Sequence, residues 1–229
     1  MVTQIHFTTQ CKSIAAELYA PAGTGISETG LVVVTYGSDG LTDNLSGPWA
    51  TMIRDYAESL ANSGLVAMIP DYFAVTGTQP GPSIFDVIAE HRDKWQSAIS
   101  DAIDHARTTS LVSTSRIGLL GFSLGGHLCL RLRDKADVLV EYFAPVLDGI
   151  GTPGNLTHAQ IHHGTADSLP GTGFSNAEAI KTTLKREGTS TELFAYAGAS
   201  HGFIGDDQAN TDARKLSKDR TLEFFRSHL

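Results

Sequence analysis

Residues 117–126 read Ile-Gly-Leu-Leu-Gly-Phe-Ser-Leu-Gly-Gly, and this stretch decides how the rest of the chain is interpreted. Its first four residues form an apolar run that predicts a buried strand, and the next five match the pattern G-x-S-x-G. In that pattern the serine occupies a sharp turn between a strand and a helix, and the two glycines leave room for the backbone to fold back. Ser123 is therefore the candidate nucleophile. A phosphate-binding P-loop is excluded, because no lysine follows Gly126.

Short apolar runs with helical patterns between them extend on both sides of this stretch. The predicted strands are residues 31–35, 66–69, 117–120, 138–142, 159–162 and 193–196, and the predicted helices are 49–63, 93–108, one opening at 125, 175–186 and one that closes the chain. Strands that alternate with helices predict an α/β fold, with a mostly parallel sheet flanked by helices on both faces. No segment rich in proline, serine, glycine or charge divides the sequence as a linker would, so residues 1–229 are expected to form one domain.

A serine hydroxyl needs a neighbouring imidazole to remove its proton before it can attack. His201 is the candidate among nine histidines, because it lies in a glycine-flanked loop directly after the apolar run 193–196. In parallel sheets the ligand site lies at the carboxyl ends of the strands, where this loop should be. His162 and His163 are adjacent, so their side chains should point to opposite faces, and no metal site is expected there.

The imidazole in turn needs a carboxylate that fixes its tautomer. Asp167 is favoured, because it follows the strand-like residues 159–162 and gives the chain order serine, aspartate, histidine. Asp148 also follows a predicted strand and is the competing candidate. The sequence therefore predicts a catalytic triad of Ser123, Asp167 and His201.

The negative oxygen that forms during acyl transfer needs hydrogen-bond donors that are already in position. The backbone N–H of Leu124, next to the nucleophile, is expected to be one donor. The second should come from the glycine-rich residues 36–40, which follow the first predicted strand of the parallel sheet. Ser38 is the first choice for this donor and Gly37 the second.

Composition restricts the partners of the protein. There are 17 lysine and arginine residues against 25 acidic ones, a formal net charge of −8, and no basic cluster offers a footprint for nucleic acid. No segment approaches the roughly 20 apolar residues of a membrane helix, and residues 1–19 lack the apolar run of a signal peptide, so a cytoplasmic location is expected. Cys11 and Cys129 are expected to be free thiols.

Six short blocks of sequence, spread over nearly the whole chain, carry a resemblance to a known family. They are residues 70–73 (Pro-Asp-Tyr-Phe), 101–107, 116–126, 163–167 (His-Gly-Thr-Ala-Asp), 198–203 (Gly-Ala-Ser-His-Gly-Phe) and 220–225. In this order they resemble the dienelactone hydrolase family of α/β-hydrolases. The resemblance implies a compact domain without a large lid that acts on lactones or small esters, without a metal or another cofactor.

The chain departs from that family at positions that decide its chemistry and its substrate. Ser123 stands where members of the family typically have cysteine. The serine is either a natural variant or an introduced substitution. Val75 and Gly205 stand where the family's type member has two arginines that bind a substrate carboxylate. Neutral short-chain esters or lactones are therefore expected to be preferred over carboxylate-bearing ones, unless Arg54 or Arg131 has taken over that role.

Seven residues beside the motif loops are expected to line the pocket, with packing in the core as the alternative: Tyr36, Phe73, Phe122, Tyr142, Phe143, Leu169 and Phe203. The predicted function is a serine hydrolase that cleaves small carboxylic esters or lactones through an acyl-serine intermediate. The alternatives are acyl transfer, hydrolysis of an organophosphate or peptide by the same triad, and a non-catalytic binding protein. The expected partner is a small molecule, and the oligomeric state is open between a monomer and a small homo-oligomer.

Overall fold

A computed structural model describes residues 2–22, 30–109 and 116–229. Its strands are β1 (Val2–Thr9), β2 (Lys12–Tyr19), β3 (Leu31–Thr35), β4 (Val66–Pro70), β5 (Ile117–Phe122), β6 (Val138–Tyr142), β7 (His158–Gly164) and β8 (Ser190–Tyr196). They form one eight-stranded sheet in the order β1-β2-β4-β3-β5-β6-β7-β8. The contacts of β2 with β1 and β4 are antiparallel, and all the other pairings are parallel.

Five α-helices pack on this sheet: α1 (Trp49–Asn62), α2 (Ile84–Thr108), α3 (Leu124–Arg131), α4 (Ser175–Arg186) and α5 (Gln208–His228). Helix α1 contacts α5, and α2 contacts α3. Every residue of β3, β4, β5 and β6 is buried, which requires cover on both faces of the sheet. The predicted fold class is therefore confirmed, and no large lid is present in the described part of the chain.

Two parts of the fold differ from the prediction. The hairpin of β1 and β2 was not predicted, because most residues of β1 are polar and exposed and form no apolar run. Helix α2 begins at Ile84 rather than at residue 93, because its first turns bury only Ile84 and Ile88 and so show a weak apolar pattern. Both elements lie on the side of the sheet that carries β4, away from β7 and β8.

Neither cysteine forms a disulfide. Cys11 is exposed, and Cys129 is buried in α3 beside the hydroxyl of Thr35. Burial raises the pKa of the Cys129 thiol to about 12, so this sulfur is not a nucleophile at neutral pH. Among the described residues, no helix is long and apolar enough to cross a bilayer.

Candidate active site

Ser123 lies at the turn between β5 and α3 in a strained backbone conformation, with φ 53° and ψ −118°. The two flanking glycines make this turn sterically possible. A Cβ atom on Gly121 would lie 2.6 Å from the carbonyl oxygen of Gly125, and one on Gly125 would lie 2.4 Å from that of Tyr36. Side chains at these positions would therefore push the serine out of its turn, so the G-x-S-x-G pattern is a packing requirement here.

A chain of hydrogen bonds joins the three residues of the predicted triad. His201 Nε2 lies 3.1 Å from Ser123 Oγ, and His201 Nδ1 lies 2.7 Å from Asp167 Oδ2. The Asp167 side chain is fully buried, and the His201 ring is 16% exposed. The competing carboxylate, Asp148, is exposed and forms an ion pair with Arg92, so it does not contact the imidazole.

The Asp167 carboxylate accepts hydrogen bonds from four groups. Oδ1 accepts from the backbone N–H of Leu169 at 3.1 Å and from Thr172 Oγ1 at 2.9 Å. Oδ2 is shared by His201 and by His163 Nε2, which lies 3.0 Å away. Burial opposes ionisation, but the hydrogen bonds from His163, His201 and Thr172 outweigh it and hold the pKa of this carboxyl well below its usual range.

This arrangement has the geometry that general-base catalysis requires. An ionised Asp167 can only accept hydrogen bonds, so His201 carries a proton on Nδ1 and turns the lone pair of Nε2 toward Ser123. The serine proton can then move to the imidazole, and the buried carboxylate stabilises the imidazolium that results.

The loop after β3 passes beside the serine. A Cβ atom on Gly37 would lie 3.3 Å from Ser123 Cβ, so only glycine leaves this space open without displacing its neighbour. The backbone N–H groups of Gly37, Ser38 and Leu124 have no hydrogen-bond acceptor among the described residues. All three residues considered as donors thus have available N–H groups beside the serine. Leu124 is the first residue of α3.

Ser123 and His201 line a cavity of about 350 Å³. Its apolar walls are formed by Trp49, Pro82, Phe85, Leu169 and Ile204, and its polar lining includes Gly37, Ser38, Asp39 and Ser46. Phe85 stands at the rim, since it is 51% exposed. The cavity is large enough for a small organic molecule.

Of the seven residues expected to line the pocket, only Leu169 lines this cavity. The other six, which pack in the core with their aromatic rings in contact, are Tyr36, Phe73, Phe122, Tyr142, Phe143 and Phe203. Phe143 supports the site from below, with its ring centroid 4.7 Å from that of His201. The alternative of core packing therefore holds for these side chains, which bury large apolar rings under the strand ends.

Trp49, Phe85 and Ile204 are lining residues that were not predicted. Trp49 is the first residue of α1, Phe85 lies in the first turn of α2, and Ile204 follows the short helical turn His201–Phe203. The one available signal was that Trp49 and Ile204 each lie close in sequence to a predicted helix start or site loop.

Among the residues that the structure describes, no arginine or lysine lines the cavity. Val75 is buried elsewhere, and Arg54 forms an ion pair with Glu17. Arg131 bonds to Gln96 and Asp93. Neither arginine that was considered as a replacement clamp for a substrate carboxylate reaches the site.

His162 and His163 point to opposite faces of β7, as predicted. His162 Nδ1 lies 2.8 Å from the hydroxyl of Tyr196, whereas His163 bonds to Asp167. Burial lowers the pKa of His162 to about 3, so this ring is neutral. Within residues 2–22, 30–109 and 116–229, no group of three histidine, cysteine, aspartate or glutamate side chains is arranged to hold a metal ion.

Glu141 is a fully buried carboxyl on β6, beneath the site. One of its oxygens accepts a hydrogen bond from the backbone N–H of Ala144 at 2.9 Å, and the other has no partner among the described residues. Burial raises the pKa of Glu141 to about 7, against the opposing influence of His163 and of this hydrogen bond. The carboxyl therefore carries its proton at slightly acid pH.

We expect Glu141 to make the stability of the protein depend on pH. Because its pKa is raised from 4.5 to about 7 on folding, its stabilising contribution is complete below pH 4.5 and is lost as the pH rises through 7. The shift corresponds to about 3 kcal/mol. The free energy of unfolding of the wild type and of Glu141→Gln is measured by urea denaturation at pH 5 and pH 8. Between these pH values it should fall further in the wild type, by up to about 3 kcal/mol.

Glu58→Gln is the matched control, because Glu58 is exposed on α1 and should show no such difference from the wild type. If Glu141→Gln and the wild type lose stability in parallel between the two pH values, the carboxyl does not titrate in this range.

Comparison with known proteins gives a consistent picture. Residues 15–229 match the dienelactone hydrolase family. A candidate carboxymethylenebutenolidase of Synechocystis sp. is 26% identical over 210 residues, which cover 77% of this chain and 80% of that protein. The crystal structure of a dienelactone hydrolase-like promiscuous phosphotriesterase from metagenomic libraries superposes with a TM-score of 0.78, at 18% identity, over 100% of this chain and 98% of the other. A serine hydrolase without a lid from Xanthomonas campestris gives a TM-score of 0.70, at 15% identity, over 98% and 93% of the two chains.

Proposed function

Because the chain belongs to the dienelactone hydrolase family, we propose that it is a serine hydrolase that cleaves neutral carboxylic esters or lactones through an acyl-serine intermediate. The observation that carries the proposal is the continuous hydrogen-bonded chain from Ser123 Oγ through His201 to Asp167, which opens on a cavity with apolar walls. Cys129 is buried and does not line the cavity, which supports the hydroxyl of Ser123 as the nucleophile.

The proposed reaction proceeds in two halves. Ser123 Oγ attacks the carbonyl carbon while His201 Nε2 takes its proton, and the carbonyl oxygen becomes an oxyanion beside the N–H groups of Ser38 and Leu124. The intermediate collapses, and the departing alcohol oxygen receives the proton from His201. In the second half His201 deprotonates a water molecule, which attacks the acyl carbon. The bond to Ser123 Oγ then breaks, His201 returns the proton to Ser123 Oγ, and the carboxylic acid is released. With a lactone, the alcohol stays attached to the acyl group, so hydrolysis of the acyl-serine releases a single hydroxy acid.

The proposal is tested with a series of p-nitrophenyl acetate, butyrate and longer esters together with a fluorophosphonate probe. A serine hydrolase should release p-nitrophenol, and its labelling by the probe should require Ser123. A binding protein without catalysis should do neither. If the protein instead turns over a neutral phosphotriester and no carboxylic ester, the nucleophile stands but the substrate class is a phosphotriester.

The lining of the cavity supports a preference for neutral substrates. In the described part of the chain, Asp39 is the only carboxylate that lines it, and no arginine or lysine does. Ser46 donates to Asp39 Oδ2 through its backbone N–H at 2.9 Å and through its hydroxyl. The second oxygen of Asp39, Oδ1, has no hydrogen-bond partner among the described residues and is accessible to solvent. A substrate carboxylate would thus lose water without gaining a charged donor and would face a like charge.

We expect kcat/KM for a neutral lactone to exceed that for its carboxylated analogue by at least about tenfold, since each missing hydrogen bond to a charged group is worth roughly 1.5 to 3 kcal/mol. Asp39→Asn should narrow the difference in kcat/KM between the two lactones, because it removes the like charge and retains an acceptor for Ser46. Both compounds would be compared for wild type and variant at one ionic strength. Faster turnover of the carboxylated compound by the wild type would contradict the expectation.

A further inference from the structure

The carboxylate of Asp167 is approached by two imidazoles, only one of which the proposed reaction uses. His163 Nε2 lies 3.0 Å from Oδ2 and His201 Nδ1 lies 2.7 Å from the same oxygen. The His163 side chain is completely buried, so its hydrogen bond to Asp167 is shielded from solvent. It lies on the core side of Asp167, on strand β7, whereas His201 lies on the cavity side.

The hydrogen bonds around the His163 ring determine which of its nitrogens carries the proton. Its Nδ1 atom is buried and has no hydrogen-bond partner among the described residues, so a proton there would be left without an acceptor. Asp167 is an ionised acceptor, so the Nε2 atom that faces it must donate. The proton on Nε2 of His163 therefore points at Asp167.

A second donor at this place suits the changes of charge in the reaction. His201 becomes a cation when it takes the serine proton, and Asp167 has to remain ionised and fixed in order to stabilise it. The N–H of His163 restrains the oxygen of Asp167 that faces His201, through a hydrogen bond from the core side.

The other oxygen of Asp167 is already held by its own loop. Leu169 and Thr172 both donate to Oδ1, which leaves His163 as the only group besides His201 that restrains Oδ2 within the described residues. Without His163, Oδ2 would be held only by His201 within the described residues, although His201 is the residue that Asp167 has to orient.

We propose that His163 is a positioning residue of this site, which holds Oδ2 of Asp167 in place from the core side so that Asp167 can orient His201. The proposal rests on the proposed function, because it concerns the efficiency of the same hydrolysis. It predicts that removal of the His163 N–H lowers kcat and leaves KM nearly unchanged, since His163 does not line the cavity that receives the substrate.

A pair of variants that differ by one methylene tests this. The amide nitrogen of His163→Gln can reach the position of Nε2 and keep the donor, whereas that of His163→Asn is too short. We expect His163→Asn to lower kcat about 10- to 100-fold with KM within about threefold, as for the loss of a hydrogen bond to a charged group, and His163→Gln to remain within about fivefold of wild type. His163→Leu removes the donor with an apolar side chain and should resemble the Asn variant.

A spectroscopic measurement separates positioning from a general loss of stability. The proton between His201 Nδ1 and Asp167 should give a downfield proton NMR signal in the wild type and in His163→Gln, and this signal should move or disappear in His163→Asn. Thermal unfolding of each variant shows whether it is folded at the assay temperature. If His163→Leu does not fold, His163→Asn carries the test, and the signal of His163→Gln supplies the comparison.

Ser123→Ala is measured in the same assay, so that the two proposals can fail separately. If the wild type is inactive, or Ser123→Ala is as active as the wild type, the proposed function is wrong. If those two behave as expected but folded His163→Asn keeps the kcat and the NMR signal of the wild type, the positioning role alone is overturned. Equal losses of kcat in the Asn and Gln variants also overturn it, because the donated hydrogen bond would then not matter.

Discussion

Ser123→Ala is expected to reduce the rate of ester hydrolysis by at least about 10⁴-fold while the protein remains folded. Alanine removes the oxygen that lies 3.1 Å from His201 Nε2, so no acyl intermediate can form. The methyl group fits the same turn, since the clashes that define the turn involve the flanking glycines and not the serine side chain. The measurement is kcat/KM with p-nitrophenyl butyrate, with circular dichroism as the check on folding.

Ser97→Ala is the control for this variant. Ser97 is exposed on α2 and its hydroxyl bonds only to the carbonyl of Asp93, so its loss should leave the rate within about twofold. The fluorophosphonate probe should label the Ser97 variant and not the Ser123 variant. Labelling of Ser123→Ala would mean that another residue is the nucleophile.

Asp167→Asn is expected to lower kcat by about 10⁴-fold. The carboxylate accepts from four donors, whereas an amide has one acceptor oxygen and one donor nitrogen. If the nitrogen faces His201, it donates to Nδ1, the imidazole proton moves to Nε2, and the ring can no longer take the proton of Ser123. If the oxygen faces His201, the nitrogen meets the N–H of Leu169 and the hydroxyl of Thr172, and the loop is disrupted.

Asp148→Asn is the matched variant, because Asp148 was the competing candidate for the same role. It is exposed and paired with Arg92, and an exposed ion pair is worth at most about 1 kcal/mol, so its replacement should change kcat less than twofold. Steady-state kinetics of both variants on one ester decide between them. A large loss in Asp148→Asn together with an active Asp167→Asn would reverse the assignment.

The elements that could be predicted from the sequence are those with a local signal. Strands β3 and β5 are unbroken apolar runs, and the turn at Ser123 depends on two glycines within five residues. The hairpin β1–β2 has no such signal, because β1 is largely exposed and is held by its register with β2 rather than by its own apolar pattern.

The cavity could not be predicted in the same way, because its walls come from distant parts of the chain. Trp49, Phe85 and Ile204 face one another only after α1, α2 and the loop that follows β8 have packed on the sheet. The aromatic residues that were expected there pack in the core. Proximity to a motif in sequence thus predicts which polar side chains meet at the site better than it predicts the cavity walls around them. The partner of His163 has a local origin, since Asp167 follows it by four residues across the turn after β7.

The order of the strands has a consequence for the synthesis of the protein on the ribosome. Strand β3 lies between β4 and β5, and its Leu31 pairs with Ile117, so this central pairing has to wait until much of the chain has emerged. Contacts between residues so far apart in sequence form slowly, because a long loop must close first. Asp167 and His201 follow still later, after β7 and β8. A growing chain therefore carries the serine before it carries the base, and we expect nascent chains to be chemically inert until the last strands have joined the sheet.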